Sequence, residues 1–186
     1  DRGEQTYQLV VDYKSYNKAF DLVDAYAGQA LQMLAYLNAL QAANPGEQLL
    51  GSLYLRLYVP TVDAGKEGTA EELKEHLYQG ITINDDAVLA ALDHGLGEKG
   101  ATLLSIKKKS KKDTSRFKVS ADDQFSAKAG SNLVSPTDLK RLMDHNAELI
   151  KEAAVQILQG QNEIRPYRRQ VGTTAETGLA FSDFLD

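Results

Sequence analysis

Apolar positions recur in two rhythms along this chain. Gln5 to Lys14, QTYQLVVDYK, is dense in Tyr, Val and Leu and predicts a strand, with Gly3 before it as a turn signal. That strand is expected to be the return arm of a hairpin whose first arm lies mostly upstream. From Leu22 to Leu40 the rhythm turns helical, with Tyr26, Leu31, Leu34, Leu37 and Leu40 on one stripe, and Asn44-Pro45-Gly46 ends it. Leu49 to Val59 alternates again and predicts a second strand, stopped by Pro60. Two short helices are predicted next. One covers Glu71 to Tyr78, with Thr69-Ala70-Glu71-Glu72 as a capping box, and the other covers Asp85 to Leu92.

Thr102 to Ile106 and Phe117 to Val119 predict short strands flanking a lysine-rich segment, which a loop or hairpin tip would keep in water. Ser135-Pro136 opens the longest predicted helix, Pro136 to Gln159. Its stripe is Leu139, Leu142, Met143, Leu149, Ile150, Ala153, Ile157 and Leu158, and Gly160 ends it. From Gln161 onward the chain shows little periodicity, and no internal repeat is found. The order of elements predicts one mixed α/β domain over residues 1–186, with a small sheet.

Composition narrows the function classes. The 186 residues are 42% hydrophobic and 25% charged, as in ordinary globular domains. No apolar run approaches the roughly 20 residues that span a bilayer. There is no cysteine, which excludes disulfides, thiol catalysis and iron–sulfur ligation within these residues. The three histidines, His76, His94 and His145, lack metal-ligand spacing and are read as structural or solvent-exposed.

A net charge of −5 argues against a free-standing, non-specific nucleic-acid binder. The basic charge is concentrated, however. Lys107, Lys108, Lys109, Lys111, Lys112, Arg116 and Lys118 face Asp113 alone, so any anion binding must be local. The same segment could track DNA phosphates, although a charge run on a short hairpin is more often a solvated surface.

Candidate chemistry gathers near the start. In Val10-Val11-Asp12-Tyr13-Lys14-Ser15, period-2 geometry puts Asp12 and Lys14 on one face, with Val11 and Tyr13 on the other. A carboxylate there can hold a hard divalent cation such as Mg²⁺. A lysine beside it can position or help deprotonate an attacking water and stabilise charge building on a phosphate. D-x-K is a common tripeptide and also reads as a plain same-face ion pair at a strand end. Gln32 and Tyr36, four apart, share a face of the following helix, where they could contact a nucleotide or orient the lysine, or simply face solvent and pack.

Together the V-D-Y-K-S strand and the Gln32-x-x-x-Tyr36 helix resemble the RecB-like nucleases of the PD-(D/E)XK superfamily. VVDYKSYNKAFDLVDAYAGQALQMLAYL is similar to the AddB/RexB type, the nuclease-bearing subunits of bacterial helicase–nucleases. Weaker similarity covers Gly51 to Pro60, Tyr78 to Asp93, and Phe117 to Tyr167. The resemblance implies a restriction-endonuclease-like α/β core, with a small mixed central sheet flanked by helices and truncated at its N-terminus. It implies Mg²⁺- or Mn²⁺-dependent hydrolysis of single DNA strands during double-strand break repair by recombination, in the bacterial cytoplasm. The implied partners are DNA and an AddA/RexA-type helicase–nuclease subunit.

By the same resemblance, Asp12 is a metal-ligating carboxylate and the Tyr13 carbonyl a further metal contact. Lys14 is the catalytic lysine, with Gln32 and Tyr36 as the accessory pair. Lys107, Lys108, Lys109, Lys111 and Lys112 are the DNA-binding candidates. Two departures qualify the match. The family's upstream G-x-I-D has only Asp1-Arg2 as a counterpart, read as a second Asp-Arg pair that follows the metal ligand, with Asp1 itself as the alternative ligand. The cysteine cluster that closes many AddB-type chains is missing, so no iron–sulfur cluster is expected, and Leu179, Phe181, Phe184 and Leu185 would hold the tail by packing. A catalytically inactive nuclease-fold module for DNA binding or assembly is the alternative function.

Overall fold

The structure is a computed structural model that describes residues 6–16, 18–57, 77–94, 103–108, 125–127, 131–161, 163, 166–171 and 173–178. Backbone contacts group the chain into two units, residues 1–150 and 151–186.

In the first unit, β1 (Tyr7–Lys14) and β2 (Gln48–Arg56) pair in parallel, β3 (Gln79–Ile83) runs antiparallel to β2, and β6 (Ser131–Val134) runs parallel to β3. The sheet order is β1-β2-β3-β6, so the side of β1 away from β2 has no strand partner among the described residues. A parallel β1–β2 pair needs a crossover, and α1 (Leu22–Tyr26) and α2 (Gln32–Ala43) supply it. This mixed sheet flanked by helices is the architecture expected of the restriction-endonuclease-like core. β4 (Ile106–Lys108) and β5 (Phe125–Ala127) form a separate antiparallel pair.

Side chains from β2 alternate between two packed layers. Ser52 donates its hydroxyl to Met33 Sδ of α2 at 3.0 Å, and Tyr54 joins Met33, Leu34 and Leu37 in the main core. Leu53, pointing the other way, packs with Leu104 and with Leu89 of α3 (Asp86–Leu92). A central strand covered on both faces explains why Leu49–Tyr54 is buried throughout.

The β2–β3 seam has no room for side chains at two positions. A Cβ on Gly51 would stand 2.0 Å from the Ile81 carbonyl oxygen, and one on Gly80 would stand 2.1 Å from that of Ser52. Gly51 also holds φ +137°, on the side of the backbone map that favours glycine.

Helix ends follow their caps. Asp85 accepts from the Ala87 and Val88 amides, and Ser135 accepts from the Asp138 amide while donating to its carboxylate. Ser135 thus opens α4 (Pro136–Leu158), which Gly160 closes at φ +70°. α4 begins in the first unit and ends in the second, where β7 (Arg168–Val171) and β8 (Thr174–Thr177) form an antiparallel hairpin.

Several sequence expectations need correction. The single helix over Leu22–Leu40 is two helices, because Gly28 turns left-handed at φ +79° and the Gln29 and Ala30 amides fold back onto the Asp24 carbonyl. Tyr78 is not helical but bridges to Leu104 and leads into β3. Lys107 and Lys108 stand in strand β4 rather than in a loop tip, and the strand opposite them is Phe125–Ala127. β3, β6 and the β7–β8 hairpin carried no expectation. The predicted helix over residues 71–76, the predicted strand over 117–119, and residues 179–186 lie outside the described residues.

Candidate active site

At the C-terminal end of β1 the strand inverts the usual preference, with polar side chains turned in and apolar ones out. Asp12 and Lys14 are 15% and 18% exposed, whereas Tyr13 is 61% exposed. The period-2 expectation therefore holds: Lys14 Nζ lies 2.8 Å from Asp12 Oδ2.

The first turn of α2 completes the cluster. Lys14 Nζ donates to Gln32 Oε1 at 2.8 Å, and Gln32 Nε2 donates to the Tyr36 hydroxyl at 2.8 Å. The amide is thereby fixed in one orientation, carbonyl toward the ammonium, while the Tyr36 hydroxyl keeps its own proton to donate outward. Gln32 and Tyr36 are both exposed, so this edge of the site is open to a large substrate.

Three polar contacts from α4 hold α1, α2 and the linker between them in place. His145 Nε2 lies 2.8 Å from the Tyr26 carbonyl and its ring stacks on Tyr26 at 4.5 Å. Asn146, fully buried, donates to the Leu31 carbonyl at 3.1 Å, and Asn38 donates to the Met143 carbonyl at 2.8 Å. Sequence reasoning passed over both asparagines. Their only signal was a polar residue on an apolar stripe.

It also passed over Tyr54, which stands opposite Asp12 in the parallel register and puts its ring centroid 5.5 Å from Lys14 Nζ. A tyrosine among the leucines of a buried strand was the available clue.

The electrostatics follow from these contacts. The Asp12 carboxylate holds the Lys14 ammonium above its ordinary pKa, partly opposed by burial. Lys14 is therefore a cation at neutral pH in this arrangement, suited to binding and stabilising negative charge. Burial, and then the Asp12 charge, push the Tyr54 phenol up to about 12. Because the folded state holds this proton more tightly than the unfolded chain, the resulting stability is complete below pH 10 and is lost as pH rises toward 12. Urea denaturation in metal-free buffer should show Tyr54→Phe losing less stability over that window, by on the order of 2 kcal/mol. Equal slopes for both proteins would contradict the assignment.

The chemistry of a divalent cation fits Asp12. Its Oδ2 is buried and receives no well-directed hydrogen bond, the Lys14 contact being an ion pair. Such an oxygen is a hard donor with capacity to spare. Among the described residues no group of three His, Cys, Asp or Glu side chains gathers around a common point. Asp1, Lys109, Lys111 and Lys112 lie outside the described residues, and Lys107 and Lys108 stand in β4. Among the described residues no helix is long and apolar enough to cross a membrane.

Comparison with known proteins adds an independent finding. Residues 1–173 match the PD-(D/E)XK nuclease superfamily. Over all of its length the chain is 41% identical to the B-type subunit of an ATP-dependent helicase/deoxyribonuclease from Limosilactobacillus reuteri, of which it covers 14%. The proteins of the same name from Lactiplantibacillus plantarum and Enterococcus faecalis are 35% and 32% identical over 98% and 88% of the chain. The chain covers 15% and 14% of those two relatives.

Proposed function

Because this chain belongs to the PD-(D/E)XK nuclease superfamily, we propose that it is the Mg²⁺-dependent nuclease unit of an AddB/RexB-type subunit, hydrolysing phosphodiester bonds of single-stranded DNA. The observation that carries this reading is the Lys14 ammonium, held at 2.8 Å by both Asp12 and Gln32 at an open sheet end. As water adds in line to phosphorus, charge grows on the non-bridging oxygens, and a preorganised cation stabilises that charge without reorganising. Gln32 keeps the ammonium aimed, and Tyr36 offers its hydroxyl proton to a phosphate or base. Mg²⁺ or Mn²⁺ would be held by Asp12, the Tyr13 carbonyl and a second carboxylate. When bound, it would supply Lewis-acid charge and a more acidic water.

The wider role follows the same line. DNA would reach the site as a single strand from an AddA/RexA-type helicase partner, in the bacterial cytoplasm, during recombinational repair of double-strand breaks. Lys107 and Lys108, with Lys109, Lys111 and Lys112 after them, would contact phosphates along the way.

The test compares Mg²⁺ with EDTA on end-labelled single-stranded DNA. It uses the chain alone and the chain grafted in place of the matching segment of the Limosilactobacillus reuteri protein. Metal-dependent cleavage is expected to fall about 10³-fold in Asp12→Asn, with Mg²⁺ binding weakened in calorimetry. No cleavage and no metal binding in either setting would replace this reading with the inactive DNA-binding module.

A further inference from the structure

Lys14 Nζ has three neighbours of different kinds. Asp12 supplies charge at 2.8 Å, Gln32 supplies a carbonyl oxygen at 2.8 Å, and Tyr54 supplies a ring face at 5.5 Å. They differ in how firmly they stay. The Asp12 oxygen facing Lys14 is also the one with capacity for another cation. Gln32 is an exposed side chain at the start of a helix. Tyr54 is 5% exposed and sits in the middle of the sheet, so its ring is part of the core and cannot swing away.

Position 54 has an aromatic side chain where packing alone would accept another leucine. Leu49, Leu50, Leu53 and Leu55 are the other large apolar side chains of the strand. What a ring adds is a negative face for the ammonium, whose flexible four-carbon stem otherwise samples many rotamers.

We propose that Tyr54 is a positioning residue for Lys14: its ring holds the ammonium in place independently of Asp12, so the lysine stays directed outward when the carboxylate is engaged by another cation. The consequence for catalysis rests on the nuclease reading; the ring–ammonium contact does not.

Three replacements at position 54 separate ring, shape and charge distribution. Tyr54→Phe keeps the ring, Tyr54→Leu removes it, and pentafluorophenylalanine keeps the shape but reverses the quadrupole. The first readout is the rate at which an amine-reactive reagent labels Lys14, measured by peptide mass spectrometry against the other lysines of the same sample. Labelling of Lys14 is expected to rise about five- to thirtyfold in the leucine and fluorinated proteins and to stay near wild type in Tyr54→Phe. The second readout is DNA cleavage, where kcat should fall by a similar factor with KM little changed, and Tyr54→Phe should restore it.

If the leucine protein does not fold, the shape-conserving fluorinated ring decides. Unchanged Lys14 labelling in that protein overturns the proposal, whatever the cleavage rate. Increased labelling in a chain that cleaves no DNA upholds the positioning role while removing the nuclease reading.

Discussion

Replacing Lys14 by alanine is expected to lower Mg²⁺-dependent cleavage of single-stranded DNA by about 10³-fold or more while the protein stays folded. The ammonium meets a phosphate with full positive charge from a fixed position. Asp12 and Gln32 hold it at 2.8 Å and Tyr54 lies beneath it. Removing it takes away the charge that stands between Asp12 and Gln32. Lys14→Arg should not rescue, because a planar guanidinium cannot place a compact charge at the point where Nζ sits. Initial rates on end-labelled DNA, beside thermal melts of each protein, check both statements. A folded Lys14→Ala protein that cleaves within tenfold of wild type would remove the lysine from the chemistry.

The largest effect on stability is expected at the β2–β3 seam. Gly80→Ala should cost about 3–5 kcal/mol or prevent folding. The added methyl would stand 2.1 Å from the Ser52 carbonyl oxygen and 2.9 Å from the Leu53 Cα, both main-chain atoms that cannot rotate away. Relief requires the two strands to separate, which breaks their hydrogen bonds and opens the core on both sides of Leu53. Gly46→Ala is the control, since a methyl there meets nothing within 4 Å and should change stability by less than about 1 kcal/mol. Urea denaturation followed by circular dichroism compares the two. Equal midpoints would mean that the sheet is more pliant at Gly80 than the backbone distances imply.

Legibility in the sequence tracked how local the cause was. β1, β2 and α4 were readable because a long run of side chains repeats one period, and Ser135-Pro136 marks the opening of α4. β3 and β6 were missed. Each is only five or four residues long, and β3, buried at four successive positions, carries no alternation to read. The break in the first predicted helix was missed because Leu31, Leu34, Leu37 and Leu40 continue a stripe that Tyr26 seemed to begin. Gly28 was the local clue, but an isolated glycine costs a helix only about 1 kcal/mol and does not compel a break.

The residues that fix the site came from further away. Tyr26, Leu31 and Asn38 meet α4 through His145, Asn146 and Met143, each more than a hundred residues distant. Such contacts leave no periodic trace in either segment, so Asn146 drew no reading from the sequence. Tyr54 drew none for the same reason.

By itself the sequence determined which side chains share a face: Asp12 with Lys14 through the two-residue repeat of a strand, Gln32 with Tyr36 through the turn of a helix. Those are properties of backbone geometry and need no partner. Tertiary structure alone decided that the two faces meet over Tyr54. That depends on the left-handed turn at Gly28, the parallel register of β1 on β2 and the grip of α4 on the linker, and these form only when distant segments pack together and exclude water.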